Sequence, residues 1–315
     1  MAEFSFAGIY IILLQDFHIS RIHPIKCKHR FVFGIGLFKF FFEDTSKEFS
    51  SSKKGIKKAD FLPLRKVDSV SSERIKTGTS EFDRVLGGGF AQGSVILLSG
   101  EPGVGKSTLL LKLLAQQKTF YVSGEESGHQ VKQRAERLGV GDAHIMFSDS
   151  MVVESIVKSL ESHKDEYDAV VIDSIQTVYS QESSTTIGSV SQIKESAVKL
   201  IECAKKNNKI MIIVGHVTKG GDIAGPKMLE HLVDCVLYLE GEKYSPYRLL
   251  RAHKNRFGPT DEVGVVEMIE SGLREVSEST AFIDESESES PGRSLIALLE
   301  GSRVLFYEIQ CLVVP

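Results

Sequence analysis

One eight-residue segment constrains the fold of this chain more than any other part of it. Residues 100–107 read GEPGVGKS and match the phosphate-loop pattern GxxxxGK followed by Ser or Thr. An apolar run, SVILLSG at 94–100, precedes the motif, and KSTLLLKLLAQQ at 106–117 follows it with a helical pattern. A strand, a glycine-rich loop and a helix in this order predict a nucleotide-binding unit of an α/β domain.

The residue types in the motif suit the binding of a triphosphate. Its glycines allow backbone N–H groups to turn inward around phosphates, and the helix N-terminus adds a partial positive charge. We expect Lys106 to contact the β- and γ-phosphates and Ser107 to supply a hydroxyl to Mg²⁺. The predicted ATP-binding residues are Gly100, Glu101, Pro102, Gly103, Val104, Gly105, Lys106, Ser107, Thr108 and Asp173.

An apolar strand further along the chain ends in a carboxylate. Asp173 closes the predicted strand at 168–174, and the carboxyl ends of parallel strands face the ligand crevice. We therefore predict that Asp173 and Ser107 hold Mg²⁺ together, as a Walker B acid and a phosphate-loop hydroxyl do. A helix-capping aspartate in an ordinary turn is the alternative interpretation.

Two glutamates and a histidine follow other predicted strands. Glu125 and Glu126 come after the strand at 119–124. We assign Glu125 as the base that orients the attacking water, and Glu126 as a cap on the following helix. His216 ends the predicted strand at 209–216, where we expect it to sense the γ-phosphate. A solvated loop histidine is the alternative.

The central region of the chain alternates strands with helices. Such alternation predicts an α/β fold with a mainly parallel twisted sheet and helices on both of its faces. Three later strands without intervening helices predict an antiparallel edge, at 235–241, 247–254 and 263–269. The other predicted elements are a strand at 143–147 and helices at 127–139, 152–163 and 190–206.

Composition separates this region from its flanks. Residues 1–72 combine an aromatic-rich segment with a basic, serine-rich linker, and residues 275–292 form an acidic linker. Two apolar runs around Gly301 predict a hairpin within residues 293–315. We therefore predict a nucleotide-binding domain at 73–274, between an atypical N-terminal segment and a short C-terminal piece.

Composition also limits the classes of partner and compartment. The net charge of −4 argues against a globally basic nucleic-acid binder but allows a local basic lining. The four cysteines form no CxxC pair, so we predict neither a zinc site nor a dense disulfide framework. No apolar run reaches the roughly 20 residues of a membrane span, so no membrane partner is expected. Residues 1–42 faintly resemble a transit peptide, which leaves cytoplasm, chloroplast and mitochondrion open.

A cationic turn, running from Lys254 to Gly258 as KNRFG, follows one of the later strands. Two cations beside an aromatic ring could contact DNA phosphates or stack on a base. Alternatively, Lys254 or Arg256 reaches the γ-phosphate of a neighbouring subunit, as arginine fingers do. A solvated cationic turn is the third interpretation.

Six motifs taken together resemble the RadA/Sms family, a branch of the RecA-like ATPases. Their order and spacing match the family over residues 73–274, and KNRFG is especially specific to it. The motifs are GTSEFDRVLGGGF at 78–90, GEPGVGKSTLLL at 100–111, YVSGEES at 121–127, VVIDSIQT at 170–177, GHVTKGGDIAGPKMLEHLVD at 215–234 and HKNRFGPTDEVGVVEM at 253–268.

The resemblance implies a RecA-like core that assembles into a hexameric ring on single-stranded or branched DNA. It also implies DNA-dependent ATP hydrolysis in recombinational repair, alongside a RecA-type recombinase. Carried over residue by residue, the resemblance assigns catalytic roles to Glu125, Lys106 and Arg256. His216, placed by its position at a strand end, completes the predicted catalytic set. We expect DNA contacts from Lys219, Lys227, Lys254 and Arg256.

The chain departs from the family at both ends. The family's N-terminal four-cysteine zinc finger has no counterpart here, and residues 1–60 look unrelated to the family. Residues 293–315 resemble only the opening hairpin of the family's Lon-protease-like domain. Two other functions therefore stay open. One is a RecA/KaiC-type nucleotide switch that binds protein partners, and the other is a truncated product that folds but does not assemble.

Overall fold

The computed structural model describes residues 63–66, 74–216, 224–241, 245–276 and 293–310. Residues 63–66 belong to one compact unit, Ile12–Ser71, and include a 3₁₀ turn at Leu64–Lys66. All other described residues belong to a second unit. Within the described ranges, no helix combines the length and the apolar character needed to cross a membrane.

A nine-stranded sheet forms the centre of the second unit. Six of its strands are parallel, and three more continue the sheet antiparallel at one edge. A two-residue ladder, β1 (Arg74–Ile75) with β2 (Phe90–Ala91), precedes it. The strands of the sheet are β3 (Val95–Gly100), β4 (Thr119–Ser123), β5 (Ile145–Ser148), β6 (Ala169–Asp173), β7 (Ile210–His216), β8 (Cys235–Glu240), β9 (Tyr247–Asn255), β10 (Val263–Ile269) and β11 (Gly272–Glu275).

The order of the strands across the sheet is β5-β4-β6-β7-β3-β8-β9-β10-β11. The phosphate-loop strand β3 therefore lies inside the sheet, between β7 and β8, and is buried along its whole length. Strands that are covered on both faces have continuous apolar sequences, which explains why this strand was recognisable from its composition.

Helices cover both faces of the sheet. Alternation along β3 sends Ile96 and Leu98 to the face covered by the first three helices, and Val95 and Leu97 to the face covered by the last three. The helices are α1 (Ser80–Val85), α2 (Lys106–Leu113), α3 (Gly128–Arg137), α4 (Val153–Ser162), α5 (Val190–Lys206) and α6 (Ala224–Leu229).

A hairpin, β12 (Arg293–Glu300) and β13 (Arg303–Gln310), packs against the antiparallel edge. Leu305 joins a small core with Val263 and Val265, and Arg303 forms an ion pair with Glu81 of α1. Both side chains of this pair are almost fully buried, 5% and 2% exposed. The hairpin is thus attached to the sheet by charge as well as by apolar contact.

The predicted fold class is confirmed, and most element bounds agree within a few residues. The helix at 190–206 and the strand at 263–269 have the predicted bounds. The helix predicted at 106–117 ends earlier, at Leu113, because the chain turns there before β4. Sequence reasoning did not identify the short elements α1, α6, β1, β2 and β11.

Candidate active site

Four neighbouring parallel strands bring the predicted catalytic residues other than Arg256 to one end of the sheet. In the order β3, β7, β6 and β4, their carboxyl ends carry the phosphate loop, His216, Asp173 and Glu125. The register places Gly100 beside His216 and Ser123 beside Asp173. The sheet therefore assembles in space four segments that lie far apart in the sequence.

The phosphate loop has the backbone conformation that its glycines allow. Gly103 and Gly105 have positive φ angles of 79° and 110°, which residues with a Cβ rarely adopt. A Cβ added at Gly103 would meet no atom within 4 Å, so this side of the loop is open. Gly105 is the N-cap of α2, so the loop leads directly into a helix N-terminus.

Lys106 folds back over the loop. Its ammonium donates hydrogen bonds of 2.9 Å to the carbonyl oxygens of Gly100 and Glu101, and the residue is only 4% exposed. Burial lowers the pKa of Lys106, while the nearby charges of Asp173 and Glu125 oppose that shift. Glu101, Pro102 and Gly103 are exposed at the tip of the loop, and Val104 and Thr108 are buried.

Asp173 and Ser107, the two predicted Mg²⁺ ligands, lie in contact. Ser107 Oγ donates to Asp173 Oδ2 over 2.7 Å, and the aspartate is 3% exposed. Tyr121 Oη donates to the same oxygen over 2.6 Å, a contact that sequence reasoning missed. Burial raises the pKa of Tyr121 well above its usual value, and Asp173 adds to that shift. The signal available in the sequence was only that Tyr121 alternates with Ser123 on the strand next to the glutamate pair.

The donor set at this position fits a magnesium ion. A serine hydroxyl and a carboxylate are oxygen ligands, which Mg²⁺ prefers, and Mg²⁺ sites in nucleotide-binding proteins are completed by substrate phosphates. Across the described residues, no group of three or more His, Cys, Asp and Glu side chains could hold a metal by itself. Ser107 and Asp173 would thus hold the ion only together with a bound nucleotide.

Glu125 and Glu126 have different partners. Glu125 Oε1 lies 2.8 Å from His216 Nε2 and also accepts a hydrogen bond from Ser174. Glu126 instead forms a two-point ion pair with Arg134 of α3. The helix that follows is capped by Ser127 with Gln130, so the prediction that Glu126 caps it is wrong. A serine capping box satisfies the first backbone N–H groups and leaves no such role for the glutamate.

His216 is held at the end of β7 rather than in open solvent. Its side chain is 25% exposed, and its Nδ1 is buried with no partner in the part of the chain that the structure describes.

The phosphate loop also contacts a residue that sequence reasoning missed, Arg248 of β9. Arg248 donates from Nε to the carbonyl oxygen of Val104 over 3.2 Å. The phosphate loop is therefore supported from the antiparallel strands as well.

Lys254 and Arg256 lie at the opposite end of the sheet. Lys254 is paired with Val236 near the start of β8, whereas the phosphate loop follows the end of β3. Arg256 N–H donates to the carbonyl oxygen of Asp234, which lies beside Val95 at the start of β3, five residues before Gly100. This separation is roughly 17 Å at the usual rise of a strand. These cations therefore do not reach the phosphate loop of their own chain.

Both cations have partners at that end of the sheet. Lys254 Nζ donates to the carbonyl oxygens of Glu230 and Val233 over 2.7 Å, and burial lowers its pKa. Arg256 donates to Asp234 over 3.2 Å while its side chain stays 56% exposed. Of the two, Arg256 is the more available for an external anion.

Two predicted DNA contacts remain, Lys219 and Lys227. Lys227 is exposed on α6, while Lys219 lies outside the described residues.

Residues 174–189 connect β6 to α5. Ile175 and Val178 in this segment are buried, and Tyr179 forms a β-bridge with Val152. The first part of this segment is thus packed, and its exposed residues follow Ser180.

Comparison with known proteins supports the resemblance seen in the motifs. Residues 75–168 match a family model described as "ATPase: KaiC". The DNA repair protein RadA of Streptococcus pneumoniae is 46% identical over 259 residues, which are 81% of this chain and 61% of that protein. RadA of Bacillus subtilis is 44% identical over 273 residues, 85% of this chain and 59% of that protein. The chain thus spans about 60% of the length of these relatives.

Solved structures support the same fold. A DnaB-like replicative helicase superimposes with a TM-score of 0.57 at 15% identity, covering 66% of this chain and 63% of the helicase. A KaiC-like protein from Pyrococcus horikoshii gives a TM-score of 0.53 at 20% identity, covering 65% of this chain and 99% of that protein. At these identities the likeness concerns the fold alone.

Proposed function

Because this chain carries the RecA-like core of the RadA family, we propose that it is a DNA-dependent ATPase of recombinational DNA repair. The observation that carries the proposal is the meeting of four strand ends at one phosphate loop. A P-loop ATPase uses a lysine, a hydroxyl and two carboxylates at its nucleotide site. Four residues at this end of the sheet supply those groups: Lys106, Ser107, Asp173 and Glu125. The role in DNA repair is supported by the RadA relatives and by the KNRFG motif at 254–258.

In this proposal each side chain has one task during hydrolysis. Lys106 exchanges its two carbonyl partners for the β- and γ-phosphate oxygens of ATP. Ser107 and Asp173 would hold Mg²⁺, which would neutralise charge on the phosphates. Glu125 orients a water molecule in line with the γ-phosphate and accepts its proton. His216 and Ser174 hold the Glu125 carboxylate in place.

The position of KNRFG favours a shared site between subunits. Lys254 and Arg256 lie too far from the phosphate loop of their own chain, so a phosphate contact requires a neighbouring copy. We therefore propose a ring, hexameric as the family resemblance implies, in which Arg256 contacts the nucleotide of the next subunit or DNA in the ring. Lys227 and Lys219 would add to a basic lining, and phosphate contacts of this kind make binding salt-sensitive. The domain bounds proposed for this function are 73–274 for the ATPase and 293–315 for the short C-terminal piece.

The first experiment measures ATP hydrolysis by the purified chain with and without single-stranded DNA, with Lys106→Ala as the control. Stimulation by DNA that disappears in Lys106→Ala supports the proposal. Hydrolysis that survives in the variant contradicts the phosphate-loop assignment. Size-exclusion chromatography with light scattering, in the presence of ATP and DNA, tests the ring, and a monomer under all conditions contradicts it.

A second candidate is a nucleotide switch that binds protein partners. The match of residues 75–168 to the KaiC ATPase model favours it. The same phosphate loop would serve both functions, so DNA binding separates them. Hydrolysis that DNA leaves unchanged, together with no binding of single-stranded DNA at low salt, would favour the switch.

A further inference from the structure

Tyr121 contacts the carboxylate that the proposed magnesium site needs. The residue is 1% exposed on β4, and its hydroxyl donates to Asp173 Oδ2 over 2.6 Å. Ser107 Oγ donates to the same oxygen over 2.7 Å. Two donors from different elements, a strand and the first turn of α2, therefore converge on one oxygen atom.

The other oxygen of this carboxylate is left available. Among the described residues, Asp173 Oδ1 receives no hydrogen bond from any side chain or backbone group. A carboxylate whose Oδ2 is fixed by two donors cannot rotate about its Cβ–Cγ bond without losing both. The arrangement thus keeps Oδ1 in one direction, as the partners of metal-binding carboxylates commonly do.

The tyrosine ring is itself fixed. It is part of the core on the face of α1, α2 and α3, so its rotamer is set by packing. A second tyrosine, Tyr167, is equally buried at 1% exposure, but its hydroxyl has a different partner. Among the residues that the structure describes, this hydroxyl donates to the carbonyl oxygen of Leu160 alone, over 3.3 Å, within the core on the opposite face.

We propose that Tyr121 is a positioning residue that orients Asp173 for the binding of Mg²⁺ together with a nucleotide. The inference rests on the proposed function, because it concerns the metal that ATP hydrolysis would use. Removal of such an outer partner typically weakens metal binding 10- to 100-fold. Mg²⁺ requires near-ideal octahedral geometry, so the loss should be larger for Mg²⁺ than for the less demanding Mn²⁺.

The test compares Tyr121→Phe with the parent chain by binding of a fluorescent ATP analogue, so that no turnover is needed. The probe is titrated first in EDTA and then with increasing Mg²⁺ or Mn²⁺. We expect unchanged binding in EDTA and about a tenfold increase in the Mg²⁺ concentration for half-maximal enhancement. Mn²⁺ should reduce the difference. Tyr167→Phe, which removes the same hydroxyl from the other face, should behave like the parent chain.

Two outcomes would overturn the inference. One is a Mg²⁺ requirement in Tyr121→Phe that equals that of the parent chain. The other is nucleotide binding by Tyr121→Phe that is weakened as much in EDTA as in the presence of Mg²⁺. As a second test the change is also made in Asp173→Asn, where it should add no further weakening of Mg²⁺ binding. A further loss in that background would contradict an action through Asp173. A parent chain that binds no nucleotide would instead contradict the proposed function itself.

Discussion

His216 Nε2 lies 2.8 Å from Glu125 Oε1, although 91 residues separate the two in the chain. The contact joins the end of β7 to the segment after β4, across the end of β6. Because Ser174 donates to the same oxygen, the glutamate is held from two neighbouring strands. In the proposed mechanism the candidate base is therefore positioned before any substrate binds.

The adjacent glutamates provide a matched pair of variants. We expect Glu125→Gln to bind ATP normally but to hydrolyse it roughly 100-fold or more slowly, because a general base contributes about that much. Glu126→Gln should hydrolyse ATP at close to the parent rate, since its partner is Arg134 rather than the site. Steady-state phosphate release and binding of a fluorescent nucleotide measure the two properties. Equal losses in both variants would contradict the assignment of Glu125.

The residues of the candidate site, and some elements of the fold, were partly predictable from the sequence. The phosphate loop and Asp173 were identified because short spacing and a flanking apolar strand fix their place in an α/β unit. Glu125 was chosen over Glu126 from position alone, and the contact with Arg134 now gives a physical reason for the difference. The helix at 190–206 was found with its bounds because apolar residues recur at helical spacing over many turns.

Other features depend on which strands become neighbours, and spacing does not reveal that. Tyr121 reaches Asp173 because β4 lies beside β6, and the two residues are 52 positions apart. Arg303 and Glu81 are 222 positions apart, so the sequence around either residue gives no indication of their ion pair. Helix α6 was missed because it is six residues long and contains Pro226, which weakens the helical signal.

The position of Arg256 predicts complementation between inactive subunits. We expect Lys106→Ala and Arg256→Ala to be inactive alone but active when mixed. In a mixed ring, a phosphate loop from one variant can meet the arginine of the other. Stimulation of phosphate release by DNA is the measurement. A mixture of Lys106→Ala with Glu125→Gln is the control and should stay inactive, because both changes damage the site of one subunit. Mixed rings without activity for the first pair would contradict a shared site.

The cluster of Glu154, Lys199 and Ser180 predicts a specific effect of pH on stability. Burial alone would raise the pKa of Glu154, but hydrogen bonds from Lys199 and Ser180 lower it to about 2. A carboxyl with a lowered pKa in the folded state contributes stability above its unfolded pKa, near 4.5. That contribution is lost as the pH falls towards 2.

We therefore expect Glu154→Gln to lower the free energy of unfolding at pH 7 by roughly 2 kcal/mol, after allowance for solvent screening. The difference from the parent chain should shrink between pH 4.5 and 2. Urea unfolding across this pH range measures it. Glu161→Gln is the control, because its ion pair with Lys206 is exposed and should contribute little at any pH. A difference for Glu154→Gln that is independent of pH would contradict the ionic origin.

The buried pair of Arg303 and Glu81 predicts that the hairpin β12–β13 contributes to the stability of the ATPase core. Arg303→Met removes one of the two arginines that pair with the buried Glu81 and leaves Arg84, at 2.7 Å, as the other. We therefore expect a loss near the lower end of the range of about 3 to 5 kcal/mol that breaking a buried ion pair costs. For a unit of this size we expect the melting temperature to fall by about 10 °C. Adding Glu81→Gln should recover part of the loss, because Gln can still accept the 2.7 Å hydrogen bond from the Val265 backbone.

Arg274→Met is the control for that measurement, since Arg274 is 64% exposed in its pair with Glu267 and should change stability little. Thermal unfolding followed by circular dichroism compares the three variants with the parent chain. A melting temperature for Arg303→Met equal to that of Arg274→Met would mean that the hairpin is not attached to the core in solution. A single shifted transition, partly restored by Glu81→Gln, would mean that β12–β13 and the nine-stranded sheet unfold together. In that case the acidic segment at 277–292 connects two parts of one cooperative unit.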